Sequence, residues 1–114
     1  MKISPFLSIN CGVYVVPCKR CDLVYIGQTG KSLVERIKQH KYCIRTGNQS
    51  NALFKHIEEY NHNIDWENSR IVKKSNRHME RLIIESCIIK RCHNMNLNDG
   101  VYKFDNFLTE YIID

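Results

Sequence analysis

Five side chains in this 114-residue chain are of types and at spacings that could carry hydrolytic chemistry. Tyr14 and Tyr25 stand in matched settings, Gly12-Val13-Tyr14 and Tyr25-Ile26-Gly27. On neighbouring strands of a tight hairpin the two phenols could face one side. Alternatively they are β-forming aromatics that fill a sheet face. Arg36 and His40 are spaced i, i+4 and so share a face of a helix. A guanidinium there offers a bidentate clamp for phosphate, and an imidazole can accept or relay a proton near neutral pH. The alternative is an ordinary surface pair. Glu85 interrupts the apolar run Leu82-Ile83-Ile84-Glu85-Ser86-Cys87-Ile88-Ile89. It either lies on the exposed face of a helix or is held inward for a reason. Magnesium needs only one or two protein carboxylates, with water and substrate phosphate completing its shell.

A second constellation is made of sulfur and nitrogen. Cys18-x-x-Cys21 precedes His56 and His62, and two thiolates with two imidazoles make a tetrahedral structural zinc set. The distance in sequence from Cys21 to His56 is far longer than in a free-standing zinc finger. Such a site would tie a hairpin loop to a later helix. The alternative is a pair of reduced loop thiols with two surface histidines. Cys92 and His93 read as residues of a helix end, and Cys43 and Cys87 as core or near-core thiols.

The elements that must position these groups follow from patterning. Gly12–Val16 and Leu23–Ile26 read as a β-hairpin whose loop of about six residues holds the cysteine pair. Gln28-Thr29-Gly30 reads as a turn. Residues 31–46 have helical spacing in Leu33, Ile37 and Ile44, and Gly47 stops the helix. A second helix begins at Ser50 or Asn51 as N-cap, buries Leu53 and Ile57, and runs out near Tyr60-Asn61. Asn68 to Lys74 makes a third strand. Residues 76–92 form the most strongly patterned helix, with Asn76 as a cap and Met79, Leu82, Ile83, Cys87 and Ile88 inside. The asparagine-rich stretch ending in Asp99-Gly100 is a loop, and residues 101–114 form an extension with an edge strand or short helix. Residues 1–10 form an N-terminal arm. The order β-β-α-α-β-α predicts an α+β fold, a small three-stranded, mostly antiparallel sheet flanked by helices.

Composition narrows the classes. With 43% hydrophobic and 25% charged residues, the chain is one ordinary globular domain rather than a disordered or low-complexity segment. No apolar run approaches the ~20 residues of a membrane span, and with no long apolar stretch near Met1 no signal peptide is expected. An intracellular location is expected, where thiols stay reduced, so the six cysteines point to metal or burial rather than disulfides. The net charge of +5 is uneven: residues 1–56 carry nine Lys/Arg against two acids. A basic half on a small domain suits a polyanion partner or is simply a solvated face.

The ordered set resembles the GIY-YIG nuclease superfamily over roughly residues 11–100: Gly12-Val13-Tyr14, Tyr25-Ile26-Gly27, Gln28-Thr29-Gly30, Leu33, Arg36, His40, Glu85 and an asparagine near 96. Val13 stands where the first motif has isoleucine. The resemblance implies phosphodiester hydrolysis in DNA. Glu85 would hold Mg2+ or Mn2+, Arg36 the scissile phosphate, and Tyr25 water or phosphate. Tyr14, assisted by His40, would be the general base, although a phenol of pKa near ~10 is a poor base at neutral pH unless its neighbours depress it. For the asparagine, Asn94, Asn96 and Asn98 compete. Asn96 is chosen for its apolar flanks, and would orient a neighbour by hydrogen bonds.

The Cys18-x-x-Cys21 insertion, the downstream His56 and His62, Val24-Tyr25-Ile26-Gly27-Gln28-Thr29-Gly30 and Ile64-Asp65-Trp66 are together similar to the endonuclease domain of Penelope-like retroelements. That resemblance implies structural Zn2+, nicking of target DNA beside a reverse transcriptase, and a nuclear location in a eukaryote. The rival expectation is a catalytically inactive, zinc-stabilised nucleic-acid-binding module, which the basic half suits equally. A ubiquitin-ligase type of zinc domain would need denser Cys/His pairs.

Overall fold

Val13-Tyr14-Val15-Val16 is a run of four apolar residues, the pattern of a strand covered on both faces. In the computed structural model, which describes residues 10–97, it lies in the central strand. This strand, β1 (Asn10–Pro17), pairs antiparallel with β2 (Val24–Ser32) on one side and with β3 (Arg70–Lys74) on the other. Tyr14 and Val16 face α1 (Leu33–Arg45) and α2 (Ala52–Tyr60), in a cluster with Leu33, Ile37 and Leu53. Val13 and Val15 belong to a second cluster with Ile84 and Ile89 of α3 (His78–Arg91). Helices therefore cover both sides of an α+β domain, in the predicted order.

The hairpin register explains two glycines. Tyr14 pairs directly with Gly27, and a Cβ on Gly27 would lie 2.5 Å from both Cζ and Oη of Tyr14. Only a glycine leaves room for the phenol to lie across the neighbouring strand. At Gly12 a Cβ would meet the Lys73 carbonyl oxygen at 2.5 Å, so that glycine admits β3.

Four elements begin, end or pair differently from the sequence expectation. Gln28-Thr29-Gly30 is not a turn but part of β2, which runs on to Ser32. Gln28 pairs with Val13, and its side chain accepts a hydrogen bond from Nε of the buried Arg81 at 2.9 Å. Tertiary pairing thus overrides a turn-like composition. The first helix starts at Leu33 rather than 31, because the Ser32 hydroxyl caps it by accepting from the Glu35 N–H. The third strand starts at Arg70 rather than Asn68, since Trp66–Asn68 form a 3-10 turn. The third helix starts at His78, with Arg77 rather than Asn76 at its N-cap.

On that last helix the buried residues are Arg81, Ile84, Ser86, Cys87 and Ile89. Met79, expected inside, is 54% exposed, and Leu82, Ile83 and Ile88 are half-buried. Asn51, one of the two candidate caps, is the cap of α2, and Asn61 ends that helix in the left-handed region at φ 55°. Residues 1–9, Asn98, the Asp99-Gly100 loop and the C-terminal extension lie outside the described residues, whereas Asn10, expected in the arm, is the first residue of β1 and pairs with Ser32. Among the described residues no helix is long and apolar enough to cross a membrane.

Candidate active site

Tyr14 is fully buried, yet its hydroxyl is the meeting point of the site. One helical turn of α1 presents two nitrogen groups to it. Nε of Arg36 donates to the Tyr14 oxygen at 3.1 Å, and Nε2 of His40 lies 2.7 Å away. The i, i+4 spacing places both side chains over the same phenol. Tyr25 lies diagonally across the hairpin on the same sheet face, its ring 6.1 Å from that of Tyr14 and 5.0 Å from that of His40. Arg36 also donates from Nη1 to Gln39 Oε1 at 2.7 Å. Tyr14 and Tyr25 thus do face one side, and Arg36 and His40 are not an ordinary surface pair.

Tyr25, Arg36, His40, Glu85 and Asn96 line a cleft of about 300 Å³. Glu85 comes from α3 and is half-buried, and among the described residues it is the one acidic side chain lining this cleft. The Asn96 amide spans the outer edge of β2: Oδ1 accepts from the Ile26 N–H at 2.9 Å and Nδ2 donates to the Ile26 carbonyl at 2.7 Å. It braces the strand next to Tyr25. Asn94 differs, donating to the Ile89 and Cys92 carbonyls where α3 ends.

Burial governs the titration of these groups. Burial raises the Tyr14 phenol well above its ordinary range, with a smaller rise from Tyr25 and an opposing effect of the Arg36 charge. Tyr25 is raised by burial too, again opposed by Arg36. His40 is pushed down to about 3 by burial and then by the Arg36 charge, so its ring is neutral at physiological pH. Burial lifts Glu85 to about 7 against the pull of Arg36. A desolvated carboxylate facing an open cleft is a donor suited to a hard cation that also takes phosphate oxygens.

The sequence model of the GIY-YIG catalytic domain matches residues 10–98, well over half of the chain. The chain belongs to the GIY-YIG family. Membership implies nuclease activity, the hydrolysis of phosphodiester bonds. Comparison with curated proteins and with solved structures yields no match.

The GIY-YIG domain carries its second constellation at the far end of the hairpin. Cys18 and Cys21 lie in the β1–β2 connection, His56 is on α2, and His62 follows that helix. Their ligand atoms all lie within 4.8 Å of one another. Cys18 Sγ is 3.4 Å from His62 Nδ1 and 3.4 Å from His56 Nε2, Cys21 Sγ is 3.5 Å from His56 Nε2, and the two nitrogens are 3.3 Å apart. Zinc–sulfur bonds of about 2.3 Å and zinc–nitrogen bonds of about 2.0–2.1 Å in a tetrahedron require S···N edges of roughly 3.5 Å and N···N edges of roughly 3.4 Å. The cluster fits a tetrahedral metal ion, with His56 offering Nε2 and His62 offering Nδ1. As the spacing predicts, it joins the hairpin to α2.

Two neighbours of the site escape a reading by motif. Gln39 holds Arg36 from the same helix, three residues on. Asn51 lies with its Nδ2 3.1 Å from His40 Nδ1, across the loop between α1 and α2. Its capping propensity is visible in sequence; its contact with His40 is not.

Proposed function

We propose that this GIY-YIG domain is a divalent-metal-dependent DNA endonuclease that nicks one strand, of the kind found in Penelope-like retroelements. The convergence of Arg36 and His40, which line a cleft together with Glu85, on the hydroxyl of the buried Tyr14 behind them supports the reading. Four such groups at one place suit phosphoryl chemistry, whereas a binding module needs no buried phenol with paired nitrogen neighbours.

In this reading Arg36 binds the scissile phosphate, which competes with Gln39 for its Nη1. Tyr14, as phenolate, takes the proton of the attacking water. Burial alone opposes that form, so Tyr14 depends on the donors around its oxygen. Tyr25 lines the cleft and orients water or phosphate. Asn96 acts indirectly, by holding the strand edge beside Tyr25. Glu85 would hold Mg2+ or Mn2+, which when bound stabilises charge on the leaving oxygen. Zn2+ would fill the Cys18, Cys21, His56 and His62 cluster as a closed structural ion with no open position for chemistry. The Cys18-x-x-Cys21 insertion supports the retroelement type, and with it a reverse transcriptase as partner and a nuclear place of action in a eukaryote. Residues 1–9 would then be an arm, the catalytic domain would run from Asn10 of β1 to residue 100, and residues 101–114 would be an extension.

The test is conversion of supercoiled plasmid to nicked circles with Mg2+ or Mn2+, wild type against Glu85→Ala. Nicking by wild type alone supports the reading. Nicking by both removes Glu85 from the metal site. DNA binding without nicking by either protein would favour a module that has lost cleavage.

A further inference from the structure

The 2.7 Å separation between His40 Nε2 and Tyr14 Oη does not itself say which atom donates. The direction is set one contact further out. Asn51 is the N-cap of α2, and its Oδ1 accepts from the Phe54 N–H at 3.1 Å. An amide nitrogen cannot take that place, because it would set a donor against a donor. Capping therefore orients the Asn51 amide, and it is Nδ2 that lies 3.1 Å from His40 Nδ1. Nδ2 has only hydrogens to offer, so Nδ1 must present its lone pair. A neutral imidazole carries one proton, which is then on Nε2. The ring is neutral because it is buried, 2% exposed, beside a permanent cation.

We propose that Asn51 is a positioning residue that locks the His40 tautomer, so that His40 donates its Nε2–H to Tyr14 rather than accepting the phenol proton. The Tyr14 oxygen then receives two N–H donors, one from Arg36 and one from His40. Two donors at 3.1 and 2.7 Å stabilise the phenolate and leave the phenol's own proton directed elsewhere. His40 supports the base and does not deprotonate it. The tautomer stands on geometry alone. Its catalytic meaning rests on the nuclease reading above.

Ring 15N chemical shifts and two-bond 1H–15N correlations of the metal-loaded full chain read the tautomer directly. The wild type is expected to show His40 protonated at Nε2 and bare at Nδ1. Asn51→Asp keeps an oxygen for the Phe54 N–H but turns an oxygen toward Nδ1, so Nδ1 should gain a proton. Asn51→Ser caps α2 but is too short to reach the ring, and plasmid nicking should fall by roughly ten- to hundredfold in kcat with little change in KM, the size of a lost hydrogen bond to a charged group. A wild-type ring protonated at Nδ1, or an unchanged ring in Asn51→Asp, overturns the proposal. So does full nicking by Asn51→Ser. A wild type with the expected ring and no nicking leaves the tautomer supported and sinks the nuclease reading instead.

Discussion

His40 is a histidine placed where it cannot behave as an ordinary one. Its folded pKa of about 3 lies below the ordinary value of 6.5, through burial first and the Arg36 charge second. Below pH 6.5 the unfolded chain takes up a proton that the folded chain refuses. The stability associated with neutral His40 is therefore complete above about pH 6.5 and is lost as the pH falls toward 3. The slope is about 1.4 kcal/mol per pH unit across that interval. Chemical denaturation at pH 7 and pH 5 should show wild type losing about 2 kcal/mol more than His40→Gln. Acid effects on the cysteine–histidine cluster are shared by both proteins and drop out of the difference. Equal losses would mean that His40 titrates normally and is not sealed from solvent.

The elements around the site depend on close approach rather than on strong local preference. Gly27 lies under the Tyr14 ring, and a methyl group there would overlap the phenol. Gly27→Ala should cost about 1–3 kcal/mol in unfolding free energy and abolish nicking by shifting the Tyr14 hydroxyl away from Arg36 and His40. A variant with unchanged denaturation midpoint and activity would show that the hairpin can open to admit a side chain. At the other end of the hairpin, Cys18→Ser should release the bound ion, measured as metal per protein, and lower the melting temperature. The loss should spread to α2, because His56 belongs to that helix. An ion-free wild type with full stability would remove the structural role of the cluster. What a reader of the sequence can see divides along the same line. Tyr14, Tyr25, Arg36 and His40 are legible because residue type and short spacing place them, Glu85 because it interrupts an apolar run, and the cysteines and histidines because few other roles suit that set. The length of β2 is not legible, since Gln28-Thr29-Gly30 is turn-like until Val13 and Arg81 hold it in the sheet. Nor is the inner face of α3, where Leu82-Ile83-Ile84 offers apolar residues in several directions. Asn51 is legible as a cap and illegible as a partner of His40, because that contact exists only once two helices meet.

At the scale of the molecule, one set of groups in one cleft, as proposed, would act on one strand at a time. Plasmid digests at low protein concentration should accumulate nicked circles before any linear product, and the nicking rate should rise in proportion to protein. Linear product from the start, with a steeper dependence on concentration, would mean that paired domains do the cutting. The sheet itself bears on how such a domain can be used. Its β2 edge is occupied by the Asn96 amide and by the Met95 N–H, which donates to the Val24 carbonyl at 2.9 Å. Its β3 edge strand carries exposed Arg70, Lys73 and Lys74. One side is closed by hydrogen bonds at Val24 and Ile26, and the other is guarded by like charges, which repel a second copy of the same strand. Among the described residues the sheet offers no inviting template for addition of another strand. Sheet edges of this kind would let the described domain be held at high local concentration on a larger assembly without one copy adding its strands to the next.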